Sequence, residues 1–293
     1  QRYEIINGWI AYRDEALAMN TLVENLNHSG TGDFTQDNFL LTTTTEIERL
    51  TYSYSGINYL LNAKVKLNAG LNINNKTATY TFAENELNIN EFPINFNGFI
   101  AMPGSDITMD IKFNSPKTDF KYLMSLIPGV YKDNFKDVQS SGQLAFNGFV
   151  KGTYNDRSMP GFGINLSVDK GNFKYPSLPA SINNVNLKLA VSNSDGDPDH
   201  TITNLSQLHA ELGAEPVDAR LYVVTPVSNP TFDAMLKGSI NLSNIKNYIP
   251  LDNATLSGLF KSDVNINGNM KAIEAKQFEK IKADGWMSLS NLI

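Results

Sequence analysis

Apolar and polar residues alternate along most of this chain. In one run Val65, Leu67 and Leu71 fall on one side of an extended chain, while Lys64 and Lys66 fall on the other. Successive side chains of a strand point to opposite faces of its sheet, so this period of two predicts strands with one apolar and one polar face. The same period recurs in residues 92–102, 107–113, 164–168 and 185–191.

Turn-forming residues separate these runs at intervals of about 6 to 12 residues, a spacing typical of short antiparallel strands. They are Asn74-Asn75, Pro103-Gly104, Pro160-Gly161, the stretch 195–198 and Asn229-Pro230. This order of runs and turns predicts a mainly β fold built as a long antiparallel meander sheet. Asparagine is common on the polar positions although it is a poor strand former, so we expect alternation and burial to hold the strands.

Two segments have helical spacing instead of the period of two. The first has Pro116 before it and Pro128-Gly129 near its end, and its apolar residues are Phe120, Leu123, Met124, Ile127 and Tyr131. A weaker copy, also followed by a proline, has Leu242, Ile245, Tyr248 and Ile249. We therefore expect one or two short amphipathic helices beside the sheet.

The residues around the two helical segments also match, at an offset of roughly 120 residues. Met109-Asp110-Ile111-Lys112 precedes the first segment, and Ala234-Met235-Leu236-Lys237 precedes the second. We predict an imperfect internal repeat in which residues 105–175 recur in 228–293. Residues 1–293 are then expected to form a single elongated segment.

Composition excludes several classes of protein. The chain has 293 residues and a net charge of −6, and it has no cluster of Lys and Arg, so we expect no nucleic-acid partner. It has no cysteine, which excludes disulfides and thiolate zinc sites. No apolar run approaches the ~20 residues of a membrane helix. Both ends interrupt a strand pattern, so we expect an anchor or further repeats outside these residues.

An acidic stretch is the strongest candidate for a metal site. Asp195, Asp197 and Asp199 alternate as at the start of a calcium-binding loop. That loop needs glycine at its sixth position and glutamate at its twelfth, where this chain has His200 and Ser206. The pattern therefore favours an acidic hairpin tip, and the three aspartates remain a weak metal candidate.

The histidines give no stronger indication of chemistry. His28 begins a glycine-containing stretch that lacks the lysine and the following helix of a phosphate-binding loop, so we expect a turn there. His209 falls on the polar side of its run and is expected to be solvated. No nucleophile elbow, no paired carboxylates framed by a cleft motif and no dinucleotide fingerprint are present, so the sequence predicts no catalytic residues, no cofactor and no enzyme activity.

The apolar face must be covered by something. Each inward side chain contributes about 1.5–3 kcal/mol when it leaves water, and monomers rarely expose apolar patches beyond a few hundred Å². Two architectures meet this requirement: a closed sandwich or barrel, and a curled sheet whose apolar lining holds lipid. The pattern alone favours the closed sandwich.

Six segments resemble one family. The chain is similar to the AsmA-like family of bacterial envelope proteins, in particular its Bacteroidetes branch, which is related to TamB and to the bridge-like lipid-transfer proteins. The segments that carry the resemblance are Gly30–Phe34, Phe120–Pro128, Gly142–Gly152, Gly171–Pro179, Asn193–Gly196 and Thr225–Val227.

The resemblance implies the open architecture, a long curled antiparallel sheet that forms a hydrophobic trough. It implies a periplasmic protein, tethered to the inner membrane in its full length, that binds or transfers phospholipid or other acyl-chain lipids and contributes to outer-membrane homeostasis. Outer-membrane assembly components are further expected partners. The inward-facing residues expected to line the groove are Val65, Leu67, Leu71, Phe96, Ile111, Phe113, Leu144, Phe146, Ile164, Leu166, Val168, Leu187 and Leu189.

Two other functions stay open. The first is a structural scaffold that assists outer-membrane protein assembly by offering a strand edge. The second is a β-sandwich that binds envelope glycans, for which the aromatic residues Phe173 and Tyr175 are candidates for sugar stacking.

Overall fold

The computed structural model describes residues 1–15, 18–54, 57–116, 119, 122, 126, 138–175, 178–248 and 257–291. Most of these residues lie in fifteen β-strands, which confirms the predicted fold class. The strands are β1 Arg2–Asp14, β2 Met19–Thr31, β3 Asn38–Tyr54, β4 Ile57–Asn74, β5 Thr79–Ile89, β6 Phe92–Ala101, β7 Ile107–Asn114, β8 Gln139–Tyr154, β9 Gly161–Lys174, β10 Ile182–Asn193, β11 Ile202–Leu212, β12 Glu215–Val224, β13 Thr231–Asn241, β14 Leu259–Asn269 and β15 Lys282–Ser290.

Helices are short in the described residues. The α-helix α1 covers Met270–Glu274, and three 3₁₀ helices cover Pro198–His200, Leu242–Asn247 and Phe278–Lys280. The helix at Leu242–Asn247 occupies the second segment predicted to be helical, and the Asn241 side chain caps it by accepting a hydrogen bond from the backbone N–H of Ser243 at 3.1 Å. The five apolar residues of the first predicted helix lie outside the described residues.

The strands follow one another in chain order, from β1 to β15, as a meander does. The chain divides into two compact units within β8. Unit 1 contains β1–β7 and the part of β8 from Asn147, all joined by antiparallel pairing. Unit 2 contains the start of β8 and the antiparallel strands β9–β15. The predicted turns fall between strands, except that Asn74 is the last residue of β4 and Gly161 the first of β9.

Asparagines with left-handed backbone angles interrupt several strands. Asn7, Asn25, Asn62 and Asn184 have φ between 49° and 53°. The pairing shifts register beside Asn7, Asn62 and Asn184, which marks these positions as bulges. Asparagine tolerates the left-handed region better than most residues, and a bulge increases the local twist of a strand. Some of the asparagines therefore bend strands, and do not only present polar side chains to water.

The core of the described residues is small and lies on one side of the sheet. The apolar side chains that are less than one-tenth exposed are Val23, Leu26, Ala63, Val65, Ala69, Ile73, Phe92, Leu144, Val168, Tyr175, Val264 and Ala272. Most sit on the strand face that the alternation predicted to be apolar, and Phe92 is fully buried. Most of the apolar face outside this set remains partly exposed.

Candidate functional site

The register of unit 2 aligns apolar residues into a continuous row across six strands. Directly opposed residues of antiparallel strands lie on the same face, so each pair extends the row by one strand. We call this set the leucine row: Leu166, Leu189, Leu205, Leu221, Ala234 and Ile266, from β9 to β14. A parallel row beside it contains Val168, Leu187, Leu208, Ala219, Leu236 and Val264.

The leucine row is only partly buried. Leu166, Leu189 and Leu205 are half-buried, and Leu221 is 36% exposed. Leucines in the middle of a closed β-sandwich would be almost fully buried, because a second sheet packs on them. Within the described part of unit 2, no second layer covers this row. The closed sandwich that the pattern alone favours is therefore not what the described residues of this unit form.

Unit 1 has a similar apolar face. One row crosses it through Gly8, Leu26, Ile47, Val65 and Ile89 and ends at Phe92. Further along the strands, Phe96 of β6 is opposite Phe113 of β7, and Ile111 of β7 is opposite Val150 of β8. The Phe82 and Phe96 rings meet edge to face at 5.0 Å.

The thirteen residues predicted to line a groove divide between the two units. Unit 1 holds Val65, Leu67, Leu71, Phe96, Ile111 and Phe113, which share its apolar face through the register of β4–β7. Unit 2 holds Leu144, Phe146, Ile164, Leu166, Val168, Leu187 and Leu189. In β9 and β10 these residues oppose one another or Val191. Val65, Leu144 and Val168 are buried, Ile164 is 37% exposed, and the others are half-buried.

The opposite face carries charges that form a network around His209. His209 Nδ1 lies 2.7 Å from Asp218 Oδ1, and its Nε2 lies 3.6 Å from Glu211 Oε1. The hydrogen bond with Asp218 is the main reason that the pKa of His209 is raised. Asp218 opposes Lys237, which pairs with Asp263 at 2.8 Å. The prediction of a merely solvated histidine was wrong, because facing carboxylates on β11 and β12 hold the ring.

The acidic tip uses its carboxylates to hold the backbone. Asp195 Oδ2 lies 2.6 Å from His200 Nδ1, and this hydrogen bond lowers the pKa of Asp195 and raises that of His200. Asp197 accepts a hydrogen bond from the backbone N–H of Asp199 at 2.9 Å, while Asp199 accepts from Val227 and Ser228. The three carboxylates thus serve different partners. No His, Asp and Glu side chains in the described residues form a group suited to a metal ion.

His28 lies in a strand and not in a turn. β2 continues to Thr31, so the turn expected at the glycine-containing stretch does not begin at His28. Gly30 is buried, and a Cβ there would lie 2.3 Å from Cε1 of Tyr3. This glycine therefore admits the Tyr3 ring against β2. His28 faces the apolar side of unit 1, where sequence reasoning expected no polar group.

A concavity of about 620 Å³ lies over β6–β8 of unit 1. On the polar face it is bordered by three residues that oppose one another across these strands, Asn97, Lys112 and Phe149. Of the thirteen predicted residues only Phe113 borders it. This concavity and the apolar face predicted to bind lipid therefore do not coincide.

No helix in the described residues has the length and apolar character needed to cross a membrane. Comparison of the chain with family models, curated proteins and solved structures gives no match.

Proposed function

We propose that this chain is a non-enzymatic lipid-binding or lipid-transfer segment of a periplasmic, inner-membrane-tethered protein of the AsmA-like kind. The observation that carries the proposal is the leucine row, which is continuous over six strands and yet only half-buried. An apolar surface of this extent in water requires an apolar partner. Acyl chains are such a partner.

The dimensions of the row suit an acyl chain. Neighbouring strands lie about 4.8 Å apart, so the five steps from Leu166 to Ile266 span about 24 Å. One leaflet of a bilayer core, and so one extended acyl chain, is about 15 Å thick. A single chain can therefore lie along the row with all of its methylenes in contact with protein.

The row also explains what kind of selectivity to expect. Each buried methylene contributes about 0.8 kcal/mol without directional requirements. Leu189, Leu205 and Ala234 offer only aliphatic surface, so affinity depends on chain length and little on the position of double bonds or branches. The proposed role is the carriage of phospholipid or other acyl-chain lipids in support of outer-membrane homeostasis.

Native mass spectrometry of the purified chain tests the proposal. We expect lipid-sized adducts that organic extraction removes and that added phospholipid restores. A phospholipid with a photo-activatable group at the end of its acyl chain should crosslink to β9–β14 on the leucine-row face. A delipidated, folded protein that takes up no phospholipid, or crosslinks confined to the Lys237 face, would refute it.

Exposed strand edges support a second candidate, the scaffold for outer-membrane protein assembly. In β15, Trp286, Met287 and Leu289 are each about half-exposed, at 53%, 59% and 49%. β15 pairs with β14, and an extended strand added along its other side would continue the antiparallel sheet. Methylation of backbone amides along that edge in a semisynthetic chain should abolish binding of an extended β-peptide. Unchanged binding would contradict this candidate.

A further inference from the structure

One row on the apolar face of unit 1 has two polar residues, in β2 and β3, and is apolar from β4 to β6. It contains, from β1 to β6, Ile5, His28, Thr45, Leu67, Leu87 and Ile94. The neighbouring row through Leu26, Ile47 and Val65 is apolar throughout these strands. His28 and Thr45 therefore place polar groups directly beside the aliphatic side chains of that row. The row on their other side contains the polar residues Thr43 and Asn85.

Three side chains on this surface form a hydrogen-bonded chain. The Tyr3 hydroxyl lies 2.9 Å from His28 Nε2, and His28 Nδ1 lies 2.8 Å from Thr45 Oγ1. We call this set the Tyr–His–Thr chain. Tyr3 is 38% exposed, while His28 and Thr45 are half-buried. Among the described residues, neither hydroxyl has a further hydrogen-bond partner.

The chemistry of imidazole gives the chain an outward donor in every protonation state. With the proton on Nδ1, His28 donates to Thr45 and accepts from Tyr3, so the Thr45 O–H is free to donate outward. With the proton on Nε2, the free donor is the Tyr3 O–H. When both nitrogens are protonated, both hydroxyls accept from the ring and both are free to donate. The chain therefore always presents at least one donor to the apolar face.

Aromatic rings lie next to this donor. The Tyr3 ring lies 5.4 Å from the His28 ring and 6.0 Å from the Phe34 ring, and Phe34 meets Phe39 at 5.3 Å. Tyr3 and Phe34 are 38% and 39% exposed, so water reaches the Tyr3 side of the site. His28 and Thr45 are half-buried and form its less hydrated side.

We propose that the Tyr–His–Thr chain binds the phosphate head of an anionic amphiphile whose alkyl chain lies along Leu67, Leu87 and Ile94. This inference rests on the proposed function and adds a head-group preference to it. O–H donors stabilise anionic oxygens, and hydrogen bonds to charged groups are about twice as strong as neutral ones. The polar and apolar parts of the row match the two parts of such a ligand.

Binding of dodecyl phosphate and of dodecanol to the delipidated chain tests the inference. We expect the wild type to bind dodecyl phosphate more tightly by about tenfold, a ratio typical of one hydrogen bond to a charged group. Tyr3→Phe and Thr45→Val should each reduce that ratio severalfold, because each removes one hydroxyl and little volume. The matched controls Tyr12→Phe, on the same strand, and Thr44→Val, on the opposite face of β3, should keep it.

The outcomes separate the two proposals. If the wild type binds neither amphiphile, the proposed function fails. If it binds both equally, or if Tyr3→Phe and Thr45→Val keep the wild-type ratio, the head-group inference alone fails. Inorganic phosphate should not displace dodecyl phosphate, and displacement would identify a site for free phosphate instead. The ¹⁵N shifts of the His28 ring should respond to dodecyl phosphate and not to dodecanol, which reports on the site in the unmodified protein.

Discussion

A single charge on the leucine row provides the sharpest test of the lipid-binding face. Leu166→Asp places a carboxylate where an acyl chain would lie. Leu166 is half-buried, and full burial of a leucine contributes about 1.5–3 kcal/mol, so we expect the substitution to cost only about 1 kcal/mol of folding stability. Desolvating an unpaired carboxylate under an acyl chain costs several kcal/mol. Since each 1.4 kcal/mol is about tenfold in affinity, lipid uptake should fall by about a hundredfold or more.

Ser167→Asp is the matched control. Residue 167 follows directly on the same strand but lies on the opposite face, where it opposes Lys188, so the added charge there is solvated and favourably placed. Both variants carry the same net charge and both are exposed to the same folding assay, a urea titration followed by far-UV circular dichroism. We expect Leu166→Asp to lose uptake of a fluorescent phospholipid and Ser167→Asp to keep it. Equal uptake by the two folded variants would refute the assignment of this face.

Three further predictions concern folding and charge. Leu144→Ala should lower the free energy of unfolding by about 2–5 kcal/mol and Leu189→Ala by about 1 kcal/mol, because of these two leucines only Leu144 is fully buried. A urea titration measures both losses, and similar losses for the two variants would contradict a single-layered sheet. Asn62→Ala should cost about 1 kcal/mol, since Asn62 has a φ of 50°, whereas Asn62→Gly should be close to neutral. Asp218→Asn should lower the pKa of His209 in an NMR titration. Because folding raises that pKa, the stabilisation from the His209–Asp218 pair is present at acidic pH and is lost as pH rises through the pKa of the folded state.

The strand pattern could be predicted from the sequence, but the rows across the strands could not. Simple alternation places Val168 and Gly171 on opposite faces of β9. In the structure Val168 opposes Leu187 and Gly171 opposes Val185, with a register shift between them beside Lys170, whose φ is 52°. A bulge inserts one residue and so reverses the alternation beyond it. No local pattern marks Lys170 as that residue.

The Tyr–His–Thr chain escaped prediction for a related reason. Glycines near His28 suggested a turn, and glycine does favour turns when it must adopt a positive φ. Gly30 instead lies in a strand beneath the Tyr3 ring. The contact joins residues 27 positions apart, so only the pairing of β1 with β2 reveals it. Alternation along each strand indicates which residues face the apolar side. The position of the Tyr–His–Thr chain on that side depends on the register between strands.

Buried apolar residues cluster beside the bulges, and this arrangement separates folding from binding. Val23 and Leu26 flank Asn25, and Ala63 follows Asn62 directly. A bulge increases the local twist, which brings inward side chains of adjacent strands closer together and buries them without a second layer. Leu189 adjoins no residue with a left-handed φ within β10 and stays half-buried, although the pairing of β10 with β11 shifts register between Lys188 and Leu189. Substitutions beside the left-handed residues should therefore act on stability, and substitutions in the leucine row should act on lipid uptake, because different side chains serve the two tasks.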